Sequence, residues 1–290
     1  MKRLLIFLLS LLLLPSFILA VPAASAEAFA VSEALTADQL RTVCDNFGLT
    51  AELEDALVLS PEEEELCFAD STAVLPEKEN RLYCVYARAL SRGSGLEARV
   101  SNLNNLSAEL LTALLLTAGV TDAEIYVGAP YSVSGAAVPA EIFAACEAIG
   151  QPVSEAAQKA AAREFTLARS LMTGSDTYSV LLLLNDCKQT AGKTAALSDE
   201  ELRDSLTQAA EKRQVSLTEG RLEELLALCR LYEKLDTSAL KSAARTYEKT
   251  LNDLNTQENG GALTRRINRL LSSLAESCET FLDDLINKVL

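Results

Sequence analysis

Between Gly93 and Gly150, turn formers, an alternating run and two helical runs succeed one another so tightly that few folds can accommodate them. Gly93-Ser94-Gly95 makes a turn, and Leu96 to Leu103 alternates Leu96, Ala98 and Val100 with Glu97, Arg99 and Ser101, the period of a half-buried strand. Arg81 to Leu90, rich in Tyr, Val and Cys, reads as the strand before it. Joined through Ser91–Gly95, the two predict a hairpin. Ser107 then opens a helix through Leu110, Leu111, Leu114 and Leu115 that Gly119 stops. Ala123 to Ala129 is a third strand ended by Pro130, and a second helix runs from Val138 to Ile149. The order strand, strand, helix, strand, helix predicts an α+β fold with a small three-stranded mixed sheet and packed helices. If the strands either side of the first helix are parallel, their crossover should be right-handed.

The flanking sequence extends this unit in both directions. Thr36-Ala37-Asp38-Gln39 resembles a capping box, opening a helix with Leu40, Val43 and Phe47 on one face and Gly48 as its stop. Residues 27–34 read as a lead-in, and Glu62 to Glu65 after Pro61 as a solvated acidic turn. From Ser154 the chain turns helical. Ser154 to Met172 is Ala-rich and amphipathic, Gly174-Ser175-Asp176 caps the next segment, Ser198 to Glu201 is a capping box, and Thr218 and Ser238 open two more helices. After Asn259-Gly260-Gly261 a last helix spaces Ile267, Leu271, Leu274, Cys278, Phe281 and Leu285 in steps of four and three, a seam that a bundle would cover more cheaply than a membrane surface. The expected division is a signal peptide over 1–26, a lead-in over 27–34, an α+β domain over 35–151, connecting helices over 152–195 and an all-helical C-terminal bundle over 196–290.

The beginning of the chain bears on compartment. Lys2 and Arg3 precede an apolar run from Leu4 to Leu14, Pro15 breaks it, and Ala24-Ser25-Ala26 has the small-x-small form of a cleavage site. This predicts a secretory signal peptide cleaved after Ala26, against the alternative of a retained anchor. Removing it leaves 24 basic against 41 acidic residues. So acidic a chain is repelled by phosphate backbones and anionic lipid, which argues against nucleic acid as a partner. No later stretch is apolar enough to span a membrane.

The chain contains no histidine, which excludes imidazole triads, Cys-His pairs and the H-E-x-x-H metal site. Its seven cysteines (44, 67, 84, 146, 187, 229 and 278) contain no C-x-x-C spacing, so neither a redox dithiol nor a zinc ribbon is expected. Most read as small apolar residues, with room for one or two bridges. Gly192-Lys193-Thr194 lacks the first Gly of a phosphate loop, and Ser238-x-x-Lys241 lacks the companion motifs of penicillin-recognising enzymes. The segment from Asp253 to Gly260 has neither the Gly nor the Glu of a calcium loop. No catalytic residue, metal site or cofactor is therefore expected. The one candidate ligand site is the loop Gly128–Gly135 between a strand and a helix, where Tyr131, Ser132, Ser134 and Gly135 could meet an anion or peptide carboxylate. The competing reading is a tight turn in which Ser134 caps the helix.

The pieces Gly93-Ser94-Gly95-Leu96, Thr117-Ala118-Gly119-Val120, Ala129-Pro130-Tyr131 and Val133-Ser134-Gly135 resemble, in order and spacing across Leu35 to Ile149, the YpuA-like family of extracellular proteins of Gram-positive bacteria, a domain of unknown function (1002). The resemblance implies an extracellular protein and brings no catalytic residues with it. The expectation is a secreted or envelope-associated protein that binds or scaffolds outside the membrane, its partner an envelope protein or cell-wall polymer. The alternative is a hydrolase of a cell-wall polymer working with carboxylates alone, since 41 acidic residues offer many pairs. A third option is calcium-dependent folding.

Overall fold

The strand with the longest unbroken buried run sits where both its faces are covered. This computed structural model describes residues 26–69 and 73–254. The sheet is built from β1 (Glu27–Ser32), β2 (Leu57–Leu59), β3 (Cys84–Ala89), β4 (Leu96–Asn104) and β5 (Ala123–Ser134), in the order β2-β1-β3-β5-β4. It is mixed, as expected, but has five strands rather than three. The predicted lead-in is β1, between β2 (parallel) and β3 (antiparallel), with Ala30 opposite both Leu57 and Val85.

The predicted hairpin does not form. Strands β3 and β4 run in opposite senses, but β5 lies between them, antiparallel to β3 and parallel to β4. Burial explains the order. Ala123 to Ala129 are buried without a break, whereas β4 alternates with solvent and takes the edge. The turn that should have closed the hairpin is held to the start of β5 instead. Asp122 Oδ1 accepts from the N–H groups of Gly93 (2.8 Å) and Gly95 (3.0 Å), which both stand at positive φ.

Side chains alternate across the sheet. Val31 and Cys84 join Leu35, Leu40, Val43, Cys44 and Leu82 under helix α1 (Ala37–Phe47). Ala30, Tyr83, Val85, Ile125 and Val127 point into the main core on the other face. There α3 (Ala108–Ala118) crosses from β4 to β5, and α4 (Pro139–Ala148) packs on β1 and β3. The acidic run is a helix rather than a turn, with Glu62, Glu63 and Glu65 exposed as expected. Pro61–Leu66 forms the short helix α2, with Ser60 and Glu63 in a capping box and Pro61 in its first turn, and Glu64 is buried.

The C-terminal half is helical: α5 (Glu155–Met172), α6 (Thr177–Thr194), α7 (Asp199–Arg213), α8 (Glu219–Tyr232) and a helix α9 over residues 237–254. Ser154, Asp176, Ser198 and Thr218 cap the first four as the sequence indicates. The fifth is capped by Asp236, whose Oδ1 accepts from Ser238 N and Ala239 N, and not by Ser238. One apolar core runs from the sheet through α3 and α5 to Leu225, Tyr232 and Leu251. Among the described residues no helix is long and apolar enough to cross a membrane. The signal segment before Ala26, the segment beyond Leu254 and its seam from Ile267 to Leu285 lie outside the described residues.

Candidate functional site

The expected loop Gly128–Gly135 is the second half of β5. The β4–β5 register jumps from Ser101↔Gly128 to Leu103↔Val133, so Ala129 to Ser132 bulge out opposite Asn102. Pro130, with no N–H to give, sits in that excursion rather than ending the strand. Asn102, at φ 58°, closes the bulge by donating from Nδ2 to the Ala129 carbonyl at 3.0 Å.

The four candidate residues do not converge. Tyr131 is 54% exposed. Ser132 Oγ donates to Asn104 Oδ1 (2.9 Å), and Gly135 N donates to the Asn104 carbonyl (3.3 Å). Ser134 turns the other way: its carbonyl accepts from Tyr83 Oη (2.6 Å) and its hydroxyl from Arg169 Nη2 (3.3 Å). It does not cap α4 either, whose N-cap is Val138 with no side-chain cap. The residue that sequence reasoning missed is Arg169, on α5 and 35 positions from Ser134.

Two groups of buried charge were also missed. In the first, Glu141 Oε1 accepts from Ser32 Oγ at 2.7 Å, and Glu64 Oε2 receives Arg81 Nη1 at 3.1 Å. Arg81 also holds Glu65 (3.1 Å) and the Pro76 carbonyl (2.9 Å). Glu141 Oε2 is buried and meets no donor, but the Glu64 carboxyl lies beside it. A proton on Oε2 resolves this by making it a donor to Glu64. Burial, then the Glu64 charge, push the Glu141 acid well above the usual carboxylate range. Both carboxyl side chains are at most 1% exposed, so the pair ties α2 and α4 to the sheet and faces no solvent.

In the second group, Glu164 of α5 faces Lys188 of α6, with Nζ 2.6 Å from Oε1 and the two side chains 1% and 2% exposed. Thr117 and Tyr232 donate their hydroxyls to Glu164 Oε2, and Lys188 Nζ donates to the Ala113 carbonyl at 3.1 Å. This cluster joins α3, α5, α6 and α8 where the sheet layer meets the helical half. Among the described residues no three acidic or cysteine side chains come together as a metal site.

A groove of about 620 Å³ lies between α2, α4 and α5, with Leu59, Leu66, Cys67 and Phe143 in its lining and Glu63, Glu147 and Lys159 among the rest. Beside it, edge strand β2 leaves Leu57 44% and Val58 50% exposed, and Leu66 is 75% exposed. Burial and the Glu141 charge push the Cys67 thiol up to about 12, so it is a poor nucleophile. All six described cysteines are free thiols, and two pairs touch: Cys44 with Cys84, and Cys187 with Cys229. Of the rejected motifs, Gly192-Lys193-Thr194 closes α6 and Ser238 and Lys241 lie within α9, while the segment from Asp253 to Gly260 lies, beyond Leu254, outside the described residues.

A relative is the "Uncharacterized protein YpuA" of Bacillus subtilis (strain 168), 27% identical over 139 residues, which are 47% of this chain and 48% of that protein. The chain thus spans about half the length of the curated relative it matches. No solved structure matches it. The family model described as "Protein of unknown function (DUF1002)" matches residues 32–253, from β1 to the end of α9, and the chain belongs to that family.

Proposed function

We propose that the protein is exported and acts outside the membrane as a non-enzymatic binding or scaffolding protein, with an envelope protein or cell-wall polymer as its partner. The signal-like N-terminus supports export. The observation that carries the binding role is the groove walled by Leu59, Leu66, Cys67 and Phe143, with Leu66 exposed at its rim and edge strand β2 exposing Leu57 and Val58 beside it. Exposed apolar residues gathered at a sheet edge next to a concave surface mark interaction sites. A photo-crosslinking residue at Leu66 of the full chain, in intact envelopes, should capture one recurring species that the same probe at Tyr131 does not. Equal capture from both positions would refute the reading.

The second reading, a carboxylate hydrolase acting on a cell-wall polymer, draws on the facing pair Glu64 and Glu141. A general acid must reach the leaving oxygen, and this pair is sealed from solvent. Release of soluble fragments from a wall polymer, abolished by Glu141→Gln in a folded protein, would establish the hydrolase and displace the binding role.

A further inference from the structure

Arg81, Arg88, Arg99, Arg203, Arg213 and Arg230 each hold a carboxylate. In a chain with 41 acidic and 26 basic residues, that is the ordinary fate of an arginine. Arg169 departs from it. Its guanidinium lies 5.5 Å from the centre of the Phe165 ring, its Nε is buried without an acceptor, and Nη2 reaches only the Ser134 hydroxyl, at 3.3 Å. No carboxylate pairs with it among the described residues. Arg169 is half-buried, and a guanidinium partly withdrawn from water gains from an anion that offsets its lost hydration.

Arg169 also lines a cavity of about 310 Å³ at the junction of β4, α3, α5 and α6. Ser107, Thr173 and Thr177 put hydroxyls in the same wall, and Leu106, Leu110 and Met172 supply its apolar part. Nearby groups do not supply the missing charge. Asp176 accepts from the N–H of Ser179 at 2.8 Å and makes no bond to Arg169, and Arg221 adds positive charge beside the wall by donating to Thr173 Oγ1 at 3.3 Å. Burial also lowers the Arg169 pKa, the direction expected of a cation short of a partner.

We infer that this cavity is a binding site for a small oxyanion, a carboxylate or phosphate group, held by the Arg169 guanidinium with the hydroxyls of Ser107 and Thr177 in the same wall. The planar fork of the guanidinium suits two-point contact with such a group. The volume admits a small molecule or the end of a chain and is too small for a large ligand. The site is separate from the groove beside β2 and does not depend on the role proposed for that surface.

The test titrates the purified full chain with sodium acetate and, separately, sodium phosphate. Ionic strength is matched with sodium chloride, and both melting temperature and heat of binding are followed. The wild type should melt higher with at least one anion than with chloride alone, in proportion to the logarithm of anion concentration once the site fills. The arm that responds tells carboxylate from phosphate. Arg169→Lys should weaken binding at least about tenfold, as expected for losing a charge-assisted hydrogen bond, and Arg169→Gln should abolish it. Should the Gln variant fail to fold, Thr173→Trp decides, since Thr173 is exposed and a large ring there blocks the cavity while Arg169 stays. No response beyond chloride in the wild type, or an undiminished response in Thr173→Trp or in a folded Arg169→Gln, overturns the site.

Discussion

Replacing Lys188 by Met would remove the one cation that faces Glu164 in the middle of the molecule. The Glu164 carboxylate would keep the hydroxyls of Thr117 and Tyr232, but its side chain is only 1% exposed. Breaking a buried ion pair from one side costs about 3–5 kcal/mol, because the remaining charge is left without compensation. For a chain of this size each kcal/mol lowers the melting temperature by roughly 2–4 °C, so Lys188→Met should melt roughly 6–20 °C below the wild type. The double variant Glu164→Gln/Lys188→Met buries no charge and should recover a large part of that loss. Equilibrium urea unfolding at neutral pH, followed by circular dichroism, gives all three stabilities on one scale. A single variant within about 1 kcal/mol of the wild type would refute the reasoning. So would a double variant no more stable than the single one, because the cost would then lie in packing rather than in the stranded carboxylate.

Glu141 gives a pH dependence with a definite sign. Its folded pKa is raised, so the native state holds a proton that the unfolded chain has lost, and this contribution falls away as pH rises from the unfolded carboxyl value near 4.3 towards the folded one. Glu141→Gln mimics the protonated acid, so its stability relative to the wild type should improve as pH rises; a pH-independent difference would contradict the shared proton. Gly128→Ala should cost about 1–3 kcal/mol in the same unfolding assay, because a Cβ there would stand 2.9 Å from both Phe47 Cε2 and Val43 Cγ1. Incubation of the reduced protein with glutathione disulfide as oxidant should give peptides linked Cys44–Cys84 and Cys187–Cys229, each bridge passing two electrons and two protons to the oxidant. Linked peptides joining other described cysteines in place of these would show that the thiols do not meet as the structure has them.

What the sequence made legible is what is decided within one turn of chain. The caps at Thr36, Ser107, Ser154, Ser198 and Thr218 and the left-handed stops at Gly48 and Gly119 all depend on residues three or four positions apart. Helix α2 was legible too, since Ser60-Pro61-Glu62-Glu63 is a capping box with proline in its first turn, but the run of acids drew the reading towards solvent. The strand order was not. Whether β4 lies beside β3 depends on a competitor 27 positions further along, and β5 wins because Ala123 to Ala129 can be buried on both faces, with Ala123, Ile125, Val127 and Ala129 apolar on one and the Glu124 carboxylate satisfied by Arg88 and Tyr126 on the other. Periodicity identifies a strand and says nothing of what else wants its place.

The buried charges and Arg169 are a harder case, and a more informative one. Acids are so common in this chain that Glu141 and Glu164 carry no compositional signal, yet Glu164 falls on the stripe Ala160, Glu164, Leu167, Leu171, and Lys188 on the stripe Leu181, Leu184, Lys188, Ala191. A charge that recurs with the apolar period of its helix is either a mistake or a partner, and two opposite ones on successive helices can answer each other. Arg169 lies one turn after buried Phe165, about 140° round the helix from Glu164, and no acid among the described residues answers it. A charge spaced with buried residues can thus be one the fold satisfies or one it leaves open, and what distinguishes them is whether another helix brings an opposite charge to it. Glu164 and Lys188 close on each other with no cavity between them, so their job is finished when the chain folds. Arg169 opens on a cavity, and no carboxylate among the described residues answers its charge.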